Sequence, residues 1–295
     1  MNIRHRLVHA VRPSISHHRF AARLLVALRV LCLVVCSLSA VSGYAQRLEL
    51  ASDVSPAAPD GEVARMMLGF RRLVTHAVSA DPMMLAALQS AAQSTFEREG
   101  RGWPVGQLLV VVDRHPKVQL LVVALAQADG GWLVVGAAKV STGRPGEFDH
   151  YFTPTGLYEH GPNVGSFRAE GTFNSNHIRG YGLKGMRIFD LGWVQAAKAW
   201  GPGGLNIIRL QIHATDPVLE ARLGRPASKG CIRIDAGLNR FLDEYGVLDG
   251  AFEQWHVETG QHPWFWLTER RPTPWSGRWV VIVDVAPIIA VVRQP

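Results

Sequence analysis

Asn206-Ile207-Ile208-Arg209-Leu210-Gln211-Ile212-His213 alternates apolar and polar side chains, and fourteen residues later comes Ser228-Lys229-Gly230-Cys231-Ile232-Arg233. In a half-buried strand, successive side chains leave by opposite faces. Ile208, Leu210 and Ile212 are therefore expected in a core, and Arg209, Gln211 and His213 on the other face, with His213 at the strand end and away from the core. The stretch 214–227 holds Pro217, Gly224 and Pro226, which suits a surface excursion that returns to its start. After Cys231, Asp235 is placed to cap a helix with Leu238, Phe241, Leu242 and Tyr245 on one face, ending at Gly246. The cysteine is thus expected in a turn between ordered elements, a mount that positions a nucleophile.

Upstream, beyond Gly106, the segments are short, β-branched and divided by turn residues. Strands are expected at Leu108–Val112, Val118–Ala126 and Trp132–Val140, and again at Leu157–Glu159, Met186–Leu191, Ile207–Ile212 and Trp279–Val285. Close spacing without intervening helices implies antiparallel pairing. The fold class is mainly β with α additions, a β-sandwich or partly open barrel rather than a parallel α/β sheet. Residues 61–106 read as helical instead. Met67, Phe70, Val74 and Val78 recur at helical spacing, and Asp81-Pro82 opens a second helix carrying Leu85, Leu88, Ala92 and Phe96. A helical hairpin packed on the main domain is the simplest expectation. Residues 251–295 form a Pro-interrupted extension ending in a strand and holding five of the nine tryptophans, expected to pack rather than to stack on sugars.

Residues 1–45 read as a secretory signal: Arg4, Arg6, Arg12, Arg19, Arg23 and Arg29, an apolar run from Val30 to Val41, and Gly43-Tyr44-Ala45 as a cleavage site. An uncleaved anchor would have to enclose Arg29 in the bilayer. Neither Cys32 nor Cys36 follows a small residue as lipid attachment would need. The formal charge of +7 includes these six arginines, so the remainder carries 7 − 6 = +1, and the basic balance gives no argument for a nucleic-acid partner. A periplasmic, cell-wall-associated location is expected, with no stable membrane span after cleavage. Residues 46–60, rich in Pro, Ala and Asp, suit a flexible leader.

Cleavage removes Cys32 and Cys36 and leaves Cys231 without an intrachain partner. A lone thiol in an exported protein points to nucleophilic catalysis, and His213 is the candidate base. A zinc site is disfavoured, because no other cysteine or closely spaced histidine completes a ligand set. No cofactor is expected.

His213 followed by Ser-x-Gly-Cys-hydrophobic-Arg resembles the signature of the L,D-transpeptidases, the YkuD-like catalytic domain that cross-links bacterial peptidoglycan. Val140-Ser141-Thr142-Gly143 with Pro145-Gly146, and Thr153-Pro154-Thr155-Gly156, are supporting matches, so the resemblance spans about residues 107–250. It implies a thioester on Cys231 formed at the L-centre carbonyl of diaminopimelate in a stem tetrapeptide, with loss of D-alanine and transfer to a second stem, giving a 3→3 cross-link. It also implies that a carbonyl just after the base, from Ala214 or Thr215, orients the imidazole, with Asp216 able to assist. The amides of Gly230 and Cys231 are the oxyanion candidates. Ser228, Lys229 and Arg233 are assigned to substrate binding, whereas Tyr181 and His177 read as a packed aromatic and a solvated loop histidine, with a place in the cleft as the alternative. Lys229 stands where the family commonly has a second histidine, which leaves base catalysis to His213 alone. The acyl acceptor is open among a stem peptide, an outer-membrane protein and water. A carboxypeptidase-like hydrolase and a non-catalytic wall-binding module are the alternatives.

Overall fold

The computed structural model describes residues 59–286; the expected signal segment, nearly all of the leader and the last nine residues lie outside it. Two sheets form the body. One holds β1 (Ala77–Val78), β2 (Leu108–Asp113), β3 (Leu120–Ala126), β4 (Trp132–Lys139), β5 (Gly156–Glu159) and β10 (Trp279–Val283), in the order β1-β4-β3-β2-β10-β5. The other runs β6-β7-β8-β9, with β6 at Ser166–Arg168, β7 at Arg187–Ala197, β8 at Leu205–Ala214 and β9 at Ile232–Ile234. The protein is mostly β with two mixed sheets packed as a sandwich and no closed barrel.

Strands β2 and β3 are buried at every position, so both faces of the larger sheet are covered. Their alternating side chains feed two cores. Leu108, Val110, Val112, Leu121 and Val123 point toward Phe189, Leu210, Ile212 and Ile232 of the second sheet, whereas Leu109, Val111, Val122 and Ala124 join Leu88, Ala92 and Phe96. Helix α1 (Pro59–Leu73) serves the first core and α2 (Pro82–Arg98) the second. The expected helical hairpin is therefore not what forms, because the two helices are built into different cores. The helical pattern also stops short of Val78, which lies in β1 and pairs with Ala137. The buried face of α1 is Val63, Met66 and Phe70, continued by Val74, with Met67 only partly buried.

Pairing is not wholly antiparallel. Strand β10 lies parallel to β2 and antiparallel to β5, inside the larger sheet, and β9 lies parallel to β8. The C-terminal part is thus a core strand rather than an appendage. Helix α3 (Ala236–Glu244) starts where Asp235 accepts the Leu238 N–H at 2.8 Å, and α4 (Gly250–Thr259) follows. Phe241 of α3 meets Phe70 of α1 edge-on at 5.1 Å, closing the inter-sheet core.

Phe70 is 2% exposed, so Phe70→Ala should lower the unfolding free energy in urea by about 3–5 kcal/mol, whereas Leu68→Ala, at a residue 65% exposed, should change it by less than about 0.5 kcal/mol. A loss below about 1 kcal/mol for Phe70→Ala would show that α1 does not contribute to this core.

Candidate active site

The β8–β9 pairing sets the geometry. Ile212 pairs with Ile232 and His213 with Arg233 in parallel register, which puts Cys231 beside Gln211. Two residues at ~3.3 Å along the strand and ~4.8 Å across give a Cα separation of about 8 Å between His213 and Cys231, within side-chain reach. The loop bearing the sulfur is tied down on every side. Ser228 N–H donates to Thr142 O at 3.0 Å, Arg144 N–H to Ser228 O at 2.9 Å, and Tyr151 N–H to Lys229 O at 3.1 Å. The Thr153 hydroxyl donates to Gly230 O at 2.7 Å and accepts from Gly143 N–H at 2.9 Å. Gly230 has φ +137°, and a Cβ there would come within 3.0 Å of Ile208 and 3.4 Å of Tyr151, so this turn requires glycine.

His213 stands near the end of β8 on the face opposite Leu210 and Ile212, as expected, but it is buried there. The face of β8 that carries it is covered there by the chain around Tyr181, whose ring lies 4.9 Å from the imidazole at 75°. Its Nδ1 is 2.9 Å from Ala214 O, so Nδ1–H donates to that carbonyl and Nε2 is left as the acceptor. Burial, opposed by this hydrogen bond, pulls the imidazole down to about 4. Asp216 is engaged elsewhere: its carboxylate accepts from Arg179 N–H at 2.7 Å and from Val218 N–H at 3.3 Å, capping the 3-10 turn Pro217–Arg222.

Cys231 is partly exposed, and its thiol donates to Arg209 O at 3.6 Å rather than to His213. Burial of the sulfur pushes the thiol up to about 11, partly offset by the Gln211 N–H and by Arg233. At neutral pH the pair is therefore thiol and neutral imidazole, not thiolate and imidazolium.

The other expected residues divide. Gly230 N–H donates to the Ser228 hydroxyl at 3.0 Å, so this amide is already satisfied, whereas Cys231 N–H has no protein acceptor among the described residues. Ser228 in turn donates to Cys231 O at 2.6 Å, bracing the turn from within. Lys229 points outward to Asp149, 2.7 Å away, with its side chain 63% exposed. Arg233 donates to Ala227 O at 3.1 Å. Tyr181 lines a cavity of about 410 Å³ with Phe167 and Phe173. His177 is exposed at a turn with φ 54°. Among the described residues, no group of three His, Cys, Asp or Glu side chains converges as a metal site.

No family model matches this chain, and no curated protein matches it. Among solved structures, an L,D-transpeptidase from Mycobacterium smegmatis is similar at 15% identity with a TM-score of 0.27, covering 60% of this chain and 59% of that one. A likeness of that size carries no inference about fold or activity, and the functional reading rests on the residues themselves.

Three participants have no signature in the sequence. Asp190 is fully buried beneath the site and accepts from Arg209 at 2.5 Å, Gln211 at 3.1 Å and Gly192 N–H at 2.8 Å. Thr153 and Tyr151 hold the cysteine loop from a distant segment; Thr153 stands in a quoted motif, but nothing in its spacing shows which groups it bonds.

The raised thiol gives a direct expectation. Alkylation of Cys231 by iodoacetamide should rise about tenfold per pH unit from 7 to 10, because burial raises the thiol and leaves little thiolate at neutral pH. A plateau reached by pH 6 would mean a preformed ion pair.

Proposed function

We propose that this protein is an exported cysteine acyltransferase that acts on peptidoglycan stem peptides and forms 3→3 cross-links through a thioester on Cys231. The observation that supports this reading is the pinned turn whose register sets Cys231 about 8 Å, Cα to Cα, from His213, an imidazole whose Nδ1–H is held by Ala214 O.

Rotation about the Cys231 Cα–Cβ bond moves the sulfur from Arg209 O toward Nε2, which takes the proton as the sulfur attacks the diaminopimelate carbonyl at its L-centre. Catalytic hydrogen bonds of this kind commonly tighten only with substrate present. Cys231 N–H meets the developing oxyanion. The tetrahedral intermediate collapses with release of D-alanine, whose amine takes the proton back from the imidazolium. An amine of a second stem then attacks the thioester, returning the thiol. The low basicity of His213 suits the second proton transfer, since an imidazolium held at about 4 is a strong acid toward a leaving amine. Among the described residues no helix is long and apolar enough to cross a membrane, and a periplasmic location belongs to this proposal together with the expected signal.

Incubation with a carbapenem and with muropeptides, read by intact mass and product analysis, tests the reading. A covalent adduct is expected on the wild type and not on Cys231→Ala, with 3→3 dimers as product, and His213→Gln should slow acylation by about 10²-fold or more. Tripeptides without dimers would assign a hydrolase instead. Binding to sacculi with no adduct would assign a wall-binding module.

A further inference from the structure

Beside the cysteine turn lies a cavity of about 210 Å³ whose lining includes Arg144, Arg179, Arg222, Lys229 and Arg233. Lys229 and Arg233 flank Cys231 by two residues on either side. Three of these cations are already paired: Arg144 with Glu147, Arg179 with Asp216 at 3.6 Å, and Lys229 with Asp149 at 2.7 Å. Among the described residues, no carboxylate forms an ion pair with Arg222 or Arg233. Arg233 is drawn below its usual value chiefly by burial, opposed by the Cys231 sulfur and reinforced by the neighbouring positive charge of Arg222. The same cavity is lined by Thr215, which is 4% exposed and whose buried hydroxyl oxygen has no hydrogen-bond partner. Glu147 and Asp216 also line it but are taken up by Arg144 and Arg179, which leaves an unpaired hydroxyl and two guanidiniums without an ion-pair partner as a receptor for an anion. The volume falls below the ~300 Å³ at which drug-sized ligand pockets begin, so the guest is small.

We propose that this cavity, bounded by Arg222, Arg233 and Thr215, binds a carboxylate of the acyl-donor peptide close to the scissile bond and so makes free acid groups a requirement for the substrate. The inference rests on Cys231 being the nucleophile of the preceding section. Arg222 is the residue best able to report it, because it is exposed and has no structural partner for its guanidinium. Arg233 is braced against Ala227 O and would confound position with charge.

The test uses the Cys231→Ala protein, which binds without turnover, in calorimetric titration with a stem tetrapeptide and with the same peptide carrying amides at both carboxylates that flank the scissile bond. The free acid should bind at least about tenfold more tightly, and Arg222→Glu in the same background should erase that preference. Equal affinities, a preference that survives Arg222→Glu, or no binding of either peptide would overturn the assignment. Failure of the thioester reading shows separately, as absence of an adduct on the wild type, because these titrations contain no sulfur at position 231.

Discussion

The parallel pairing of β8 with the three-residue strand β9 is the contact on which the rest of the site depends. A short parallel pair has little stability of its own, and this one is held by what surrounds it. Ile232 and Ile234 are fully buried in the inter-sheet core, Asp235 caps α3 directly after them, and Arg233 exchanges backbone hydrogen bonds with Ser141 from the far side. The register that results places Cys231 against Gln211 and Arg233 against His213. A slip of one residue would turn both isoleucines out of the core, so core packing fixes the position of the sulfur.

Around that register the polar groups are arranged to hold geometry more than to generate charge. Burial keeps both the imidazole and the thiol neutral at rest, and the Ala214 carbonyl selects the tautomer that leaves Nε2 free to accept a proton. A buried carboxylate behind the histidine would favour the imidazolium; here Asp216 is spent on Arg179 and on its own turn. In the proposed reaction the proton moves only when a carbonyl is present to receive the sulfur, and the leaving amine meets an acidic imidazolium. Lys229 is turned out to Asp149 on the surface.

Much of this was legible in the sequence because the relevant signals are local. The alternation in 206–213, the Asp235 cap and the apolar runs of β2 to β4 each have a single structural answer under elementary packing rules. What escaped depended on distant partners. Val78 continues a helical period but is captured by β4, and tertiary pairing overrides propensity there. The Trp-rich tail gave no hint that β10 would insert between β2 and β5, since parallel pairing of the last strand with an early one leaves no mark in spacing. Alternation puts His213 on the face away from the core but does not show what covers that face; Tyr181, thirty-two residues earlier, supplies the cover. The role of Ser228 in occupying the Gly230 amide likewise needs coordinates, as any serine in a turn would read the same.

The central claim is that His213 rests neutral, with its proton on Nδ1, facing a protonated Cys231. Nitrogen NMR of selectively labelled imidazole, titrated from pH 8 to 3.5, tests it most directly. The account predicts the Nδ1–H tautomer throughout the neutral range and protonation only as the pH approaches about 4. An imidazolium already present at pH 7, or a proton resident on Nε2, would contradict it.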